Sequence, residues 1–272
     1  MRIALATSES QLPASDRLLE DALRERAADV AIAHWQDAAC DWSRFDTVVV
    51  RSCWNYHHHL ADFLAWLARV ESTGARLVNP RGSIVWNADK RYLAALADSG
   101  VPIPGTQFVA PAERLQADAV RRSSGWTSVV SKPLVSASAW RTERDPDAPI
   151  VGPAMVQEYL PEITSVGEWS LVFFDGAHSH SVLKRPRDGD FRVQQERGGS
   201  AVLGVAPAAV HRVAEQVLAA CAQRAHFARV DVVASDRGPL LMELELIEPE
   251  LFLFLEPRAA SRCAQTIMDA TS

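Results

Sequence analysis

Three acidic residues near the C-terminus, Asp231, Glu243 and Glu245, have the type and spacing of ligands for a hard metal ion. Two apolar runs flank residues 235–238, whose composition is typical of a turn, so the segment predicts a β-hairpin. Side chains alternate between the two faces of a strand. Arg229 and Asp231 therefore share one face of the first strand, and the two glutamates share one face of the second. Pairing of the strands would bring the three carboxylates together.

These acids have apolar neighbours in the sequence, and the cost of burying their charge limits what they could bind. Carboxylates among Val, Leu and Met are costly to bury unless a positive group neutralises them. Ligand sets made only of oxygen favour hard cations such as Mg²⁺. The segment therefore predicts a magnesium site. The alternative is a solvated strand face whose acids pair with arginines.

Basic residues lie upstream, where predicted strands and helices begin or end. Lys132 ends the β-branched strand 128–132, and Lys90 lies in the first turn of a predicted helix with Asn87 as its N-cap. A lysine near the positive end of a helix dipole is locally unfavourable, so a bound anion would explain its position. A basic group follows, made of Lys184, Arg185, Arg187, Arg192 and Arg197. This group could face a polyphosphate, and the alternative is a solvated basic loop. For Lys90 the alternative to anion binding is simple exposure to solvent.

A second candidate binding region follows the predicted strand 47–50. Arg51, at the end of this strand, is placed to hold a carboxylate through two parallel hydrogen bonds, and Trp54 and Tyr56 would wall a small pocket. The alternative is an arginine in a surface ion pair. The histidines at 57–59 do not predict a metal site, because adjacent residues on a helix point in different directions.

The elements that must position these residues follow from hydrophobic patterning. Apolar runs predict strands at 2–6, 30–34 and 47–50, with helical spacing at 16–26 and 60–70. This order indicates an N-terminal open α/β domain, whose ligands would gather where strands end.

Further elements are predicted beyond a boundary set near residue 85. Small residues at 134–139 could cradle phosphates with backbone N–H groups. Arg192 and Gln194 share a face, and Gly198 and Gly199 mark backbone that bends or approaches another group closely. Helices are expected at 207–225 and 259–272.

Composition limits the class of protein. The chain has 272 residues, 48% of them hydrophobic, which is enough for two domains, and a net charge of −6 without a dense basic block. We therefore expect neither nucleic acid nor an anionic membrane as a partner. Four scattered cysteines fit reduced thiols, and no signal peptide or membrane span is apparent, so we expect a cytoplasmic protein. A homodimer is the default oligomer.

The ordered set of motifs resembles the ATP-grasp superfamily over residues 85–257. The nearest resemblance is to the glutathione-synthetase-like ATP-binding fold and to the cyclo-ligases that close the cycloserine ring from O-ureido-serine. The motifs that carry it are Lys90, Lys132-Pro133, residues 157–161, Gly167-Glu168, Lys184, residues 192–194 with Gly198-Gly199, Asp231, Glu243, Glu245 and Pro249. Two positions differ from the superfamily: 245 is Glu where Asn is usual, and the loop after Lys132 has Ser and Ala in place of Gly.

The resemblance implies the fold and the cofactors. The fold class would be α/β: an N-terminal open α/β domain at 1–85 is followed by a two-lobed ATP-grasp domain of α+β type at 86–272. The smaller lobe, the lid, would span about 105–162. ATP and two Mg²⁺ ions would be bound, the metals by Asp231, Glu243 and Glu245.

The resemblance also implies roles for single residues. Lys90 and Lys132 would contact the ATP phosphates, and Glu168 would hold the ribose hydroxyls. Lys184 and Arg192 would face the triphosphate and the acyl phosphate as the catalytic cations. The adenine would lie beside the linker of Gln157, Glu158, Tyr159 and Leu160. The substrate would be held by Arg51, Ser52, Trp54, Tyr56, Gln194 and Gly199.

Residue chemistry and resemblance together predict an ATP-dependent carboxylate–amine ligase. Phosphorylation by ATP converts an unreactive carboxylate into an acyl phosphate that a nitrogen can attack, releasing ADP and phosphate. The expected substrate is small and amino-acid-like, with cyclisation or joining of two molecules both open. Two alternatives remain at this point: a nucleotide-binding regulatory protein without ligase chemistry, and a small-molecule kinase on the same fold.

Overall fold

The computed structural model describes residues 1–270, and its first part is a parallel sheet covered on both faces. The elements are β1 Arg2–Thr7, α1 Ala14–Arg24, β2 Asp29–His34, β3 Thr47–Val50, α2 Leu60–Ser72 and β4 Arg76–Val78. The four strands are parallel in the order β2-β1-β3-β4. The predicted open α/β sheet is confirmed.

Alternation along β1 decides which helix each side chain meets. Ile3 and Leu5 pack with Leu19 and Leu23 of α1 in one core. Ala4 and Ala6 point to the other face, where the core contains Phe63, Trp66 and Leu67 of α2. Both faces of the sheet are therefore buried, as parallel sheets require.

Two short helices, α3 Arg81–Asn87 and α4 Tyr92–Asp98, follow the first sheet. The prediction that Asn87 caps a helix with Lys90 in its first turn is wrong, because Asn87 ends α3 and Lys90 lies between the two helices. The Asn87 side chain instead donates to the Leu244 carbonyl at 2.8 Å and accepts from the Leu246 amide at 2.8 Å. A buried amide satisfied by distant backbone cannot be recognised from local sequence. The predicted boundary at residue 85 falls within α3.

The second part of the chain is a small antiparallel unit. Its elements are β5 Thr106–Val109, β6 Arg114–Leu115, α5 Ala117–Ser124, β7 Val129–Pro133, β8 Glu143–Arg144, β9 Ile150–Val151 and β10 Ala154–Glu158. Four strands form a sheet in the order β5-β10-β7-β8, and β6 pairs with β9. Helix α5 packs Val120 against this unit's own small core.

The third part is a five-stranded antiparallel sheet. Its elements are α6 Glu162–Ser165, β11 Glu168–Phe174, β12 Ala177–Arg185, β13 Ser200–Gly204, α7 Ala208–Ala220, β14 Phe227–Ser235, β15 Gly238–Glu245 and α8 Arg258–Asp269. The strand order is β13-β12-β11-β14-β15. Two helices were predicted here: α7 is shorter than expected at its C-terminal end, and the last two residues of the predicted final helix, 271–272, lie outside the described residues.

Strands β14 and β15 form the predicted hairpin. Asp231 pairs with Glu243 and Arg229 pairs with Glu245, so these four side chains share one face as expected. The register shifts between Asp231 and Val232, which adds a bulge that the sequence did not indicate. Within residues 1–270, no helix is both long and apolar enough to cross a membrane.

Candidate active site

A cavity of about 430 Å³ opens where the three parts of the chain meet. The first part contributes Trp54 and Tyr56 to its wall, and the second contributes Lys132 and residues 157–160. The face of the third sheet contributes the charged residues of β11, β14 and β15. A cavity of this size suits a nucleotide-sized or drug-sized ligand.

The acids of the hairpin form the floor of this cavity. One carboxylate oxygen from each of Asp231, Glu243 and Glu245 lies within 4.8 Å of the other two. Burial raises the pKa of Glu245 to about 7; Arg229 opposes this shift, whereas Glu243 and Asp231 add to it. Burial is therefore the main reason that this carboxyl group holds its proton more tightly than usual.

This donor set fits a magnesium ion. Three carboxylates within reach of one point supply the oxygen ligands that Mg²⁺ prefers, and a divalent cation would offset their mutual repulsion. Asp231, Glu243 and Glu245 would hold it.

Cations already neutralise part of this charge. Lys184 donates to Asp231 at 2.9 Å and contacts Glu168 at 2.6 Å, its cross-strand neighbour. Burial alone would raise the pKa of Asp231, but Arg229 and Lys184 outweigh it and lower that pKa. The carboxylate of Glu168, which was predicted to hold the ribose hydroxyls, therefore forms an ion pair with Lys184 in this structure.

Two further lysines flank Glu243. Lys90 is buried and its ammonium donates to the Glu243 carboxylate. Lys132 also lines the cavity, and burial lowers its pKa although Glu243 opposes the shift. Among the described residues Lys132 has no carboxylate within ion-pair distance. Its charge is therefore available to an anionic ligand.

The residues after β12 reach the cavity through Arg192 and Gln194. Asp190 accepts from both Nε and Nη2 of Arg192, at 3.0 and 2.9 Å, and holds the guanidinium in one orientation. Gln194 has a buried side-chain oxygen without a hydrogen-bond partner in the described part of the chain. Gly199, predicted to contact substrate, does not line the cavity. A Cβ there would lie 2.3 Å from the Val193 carbonyl, so the glycine permits a close backbone approach.

Arg51 and Ser52, which were predicted to hold the substrate, do not line this cavity. Arg51 is 2% exposed, and its Nε and Nη2 donate to Asp16 Oδ1 and the Pro249 carbonyl, both at 2.9 Å. The hydroxyl of Ser52 lies 2.7 Å from that of Thr7. A partner on α1 turns the arginine away from the cavity, and only the aromatic residues of this segment line it.

Two acids of the cavity wall were not predicted as ligands, whereas the small residues at 134–139 were predicted to cradle phosphates. Glu248 and Glu250 lie in the wall just beyond β15, and the loop residues Ser136 to Ala139 lie over it. The sequence does indicate Glu248 and Glu250 as candidate ligands, because they continue the acidic pattern of the hairpin into an otherwise apolar segment. The loop is held by the contact of Trp140 with His57 and His58, at ring-centroid distances of 5.5 and 5.1 Å.

Comparison with known proteins identifies relatives over the whole chain. Residues 3–79 match the family model of the N-terminal domain of the D-cycloserine synthetase DcsG. The cycloserine biosynthesis protein DcsG of Streptomyces lavendulae is 31% identical, with 98% of each chain covered. The crystal structure of D-cycloserine synthetase DcsG superposes with a TM-score of 0.87 at 29% identity over the full length of both chains.

More distant structures share the fold. D-alanine–D-alanine ligase from Bacillus anthracis has a TM-score of 0.69 at 14% identity, covering 100% of this chain and 97% of that one. A RimK domain protein ATP-grasp from Sphaerobacter thermophilus has a TM-score of 0.70 at 18% identity, covering 100% and 99%. These likenesses place the three parts of the chain in the ATP-grasp fold.

Proposed function

The chain belongs to the D-cycloserine synthetase family of ATP-grasp ligases, and from this membership we propose that it activates the carboxylate of a small amino-acid-like substrate as an acyl phosphate. A nitrogen then attacks the activated carbonyl, and ADP and phosphate are released. The name of the Streptomyces relative supports intramolecular attack, which would close a ring.

One observation carries this proposal: the acids of the hairpin and the cations around them converge in a single cavity. Asp231, Glu243 and Glu245 line it together with Lys132 and Arg192, and Lys184 contacts Asp231 at 2.9 Å. Two Mg²⁺ ions bound to these acids would neutralise charge on the triphosphate. The residues 157–160 offer a linker beside the adenine.

The cations act on the transferring phosphoryl group. In the proposed reaction the substrate carboxylate oxygen attacks the γ-phosphorus, and the bond to the ADP oxygen breaks. Lys132 and Arg192 would stabilise the negative charge on the phosphoryl oxygens from fixed positions, which is the main catalytic requirement of phosphoryl transfer. No covalent nucleophile is required. Attack by nitrogen then expels inorganic phosphate, and the nitrogen loses its proton.

The test is product analysis with a panel of acids. O-ureido-serine, aminooxy analogues and common amino acids are incubated with ATP and Mg²⁺, and ADP, AMP, phosphate and pyrophosphate are quantified. We expect ADP and phosphate with at least one ureido or aminooxy acid, and a hydroxamate when hydroxylamine is added. AMP with pyrophosphate, or a stable phosphorylated acid, would contradict the proposal.

A further inference from the structure

Glu248 differs from the other buried and half-buried acids in the cavity wall because its carboxylate has no partner. Its side chain lines the cavity and is only 9% exposed, yet within residues 1–270 it forms no hydrogen bond or ion pair. Glu243 is paired with Lys90, and Glu245 with Arg229. Glu250 accepts from the Ser15 hydroxyl and from the Phe252 amide.

An unpaired buried carboxylate is expensive, so its retention calls for a ligand. Burial, reinforced by Glu245, raises the pKa of Glu248 well above its ordinary value, although Arg51 opposes the shift. A positively charged group beside the carboxylate would restore its ionised form and recover the desolvation cost.

The position of Glu248 indicates which ligand is near it. Glu248 lines the same cavity as Tyr56 of the first part of the chain, and burial, followed by the nearby charge of Glu248, raises the pKa of the Tyr56 hydroxyl. It is not one of the acids that converge within 4.8 Å as the metal ligands.

We infer that Glu248 binds the ammonium group of the amino-acid substrate. This inference rests on the proposed function, in which the substrate carboxylate reacts beside the metal ligands. Two residues, Leu246 and Ile247, lie between Glu245 and Glu248, so the Cα atoms of the two glutamates are at most about 11 Å apart. A small amino acid can therefore place its carboxylate at the reacting centre and its ammonium on Glu248. Lys132 and Arg192, which line the same cavity, repel an ammonium, whereas the unpaired Glu248 attracts it.

The experiment compares two probes that differ only in the amino group. The probes are O-ureido-serine and 3-(ureidooxy)propanoic acid, and the readout is ADP release by the wild type, Glu248→Gln, Glu248→Asp and Glu250→Gln. The wild type should prefer the amino compound at least ~100-fold in kcat/KM, because a site built for a polar group rejects an analogue that lacks it.

Each variant has a distinct expected result. Glu248→Gln keeps the shape but not the charge, so KM for the amino compound should rise and the preference should fall below ~10-fold. Glu248→Asp retains the charge and should retain most of the preference. Glu250→Gln is the matched control, because that carboxylate already has partners, and it should keep the wild-type preference. Binding of ADP with Mg²⁺, measured by calorimetry, should be unchanged in Glu248→Gln and reports that the variant is folded.

Three results would overturn the inference. The first is an unchanged preference in Glu248→Gln with normal ADP binding. The second is an equal loss for both probes with weakened ADP binding, which would assign the residue to the nucleotide site. The third is the absence of ADP release by the wild type with every acid of the panel, which would overturn the proposed function as well.

Discussion

Acidic side chains lie on three neighbouring strands of the third sheet, β11, β14 and β15, and each is paired with a basic residue. Lys184 on β12 faces Glu168 on β11, and Asp231 on β14 accepts from Lys184 and from Ser170 on β11. Each side chain is thereby fixed by a neighbour, so the metal ligands are held before any ligand arrives. Preorganisation of this kind lowers the cost of stabilising charge in the transition state.

The metal ligands differ in how much each should contribute. Asp231→Asn and Glu243→Gln should lower kcat at least ~100-fold, about 2.7 kcal/mol of transition-state stabilisation, because each removes a charge that holds Mg²⁺ against the triphosphate. Glu245→Asn should cost ~10-fold or less, because a neutral Asn, usual at this position in the superfamily, coordinates through its carbonyl oxygen. The measurement is kcat across a Mg²⁺ titration, with circular dichroism as the folding control. Near-wild-type turnover in the first two variants would remove the metal site from the hairpin.

Arg51 should act on stability instead of substrate binding. Arg51→Ala leaves Asp16 buried without its partner, and breaking such a pair costs about 3–5 kcal/mol. Urea unfolding should show this loss, while KM for the acid substrate in the folded fraction changes little. Asp16→Asn is the reciprocal control and should also destabilise. A stable Arg51→Ala variant with a raised KM would return this residue to the substrate site.

At the scale of elements, the sequence pattern predicts those features that depend only on residues near one another in the chain. The bulge that aligns Asp231 with Glu243 was not indicated by the sequence, although the hairpin itself and the common face of Glu243 and Glu245 were predictable. The direction of Arg51 was not, because its partner lies on α1, 35 residues away in sequence. The role of Asn87 depends in the same way on the backbone of β15. Side chains whose partners are distant in sequence were therefore the ones misplaced.

The loop after Lys132 has an unfavourable backbone conformation, and contacts with neighbouring side chains hold it in place. Ser138 and Ala139 have φ of 50° and 52°, a region that costs roughly 1–2 kcal/mol per residue without glycine. Arg197 donates to the Ser138 carbonyl at 3.2 Å, and Trp140 packs on His57 and His58. These contacts link the loop to the rest of the cavity wall.

Trp140→Ala should therefore loosen this loop. We expect faster hydrogen exchange at residues 135–142 and a KM for ATP raised by ~3–10-fold. In the wild type the loop is already ordered before ATP binds, whereas in the variant binding must also order the loop, which costs conformational entropy. The melting temperature should change little, since the ring lies outside the main hydrophobic cores. Trp140→Phe keeps an aromatic contact and should remain close to wild type. Unchanged exchange in Trp140→Ala would show that the histidine contact does not hold the loop.

At the scale of the whole molecule, the two ends of the chain share one core. Ile3 and Leu5 of β1 pack in the same cluster as Cys263, Ala264 and Ile267 of α8, together with residues of β11, β12 and β14. The parallel sheet thus relies on α8 to cover one of its faces, and the predicted boundary at residue 85 does not separate two closed cores.

Removal of α8 should consequently unfold the N-terminal sheet as well as the C-terminal segment. A chain ending at residue 257 exposes Ile3, Leu5 and Leu19, and losing this burial costs about 25 cal/mol for each Å² of apolar surface uncovered. The milder variant Ile267→Ala should cost about 2–5 kcal/mol. Fluorescence of Trp35, Trp42 and Trp66, all in the first part, and far-ultraviolet circular dichroism should report the same urea midpoint for this variant, because one shared core unfolds cooperatively. Native-like tryptophan fluorescence in the truncated chain, or two separate midpoints in Ile267→Ala, would show that the first part folds on its own.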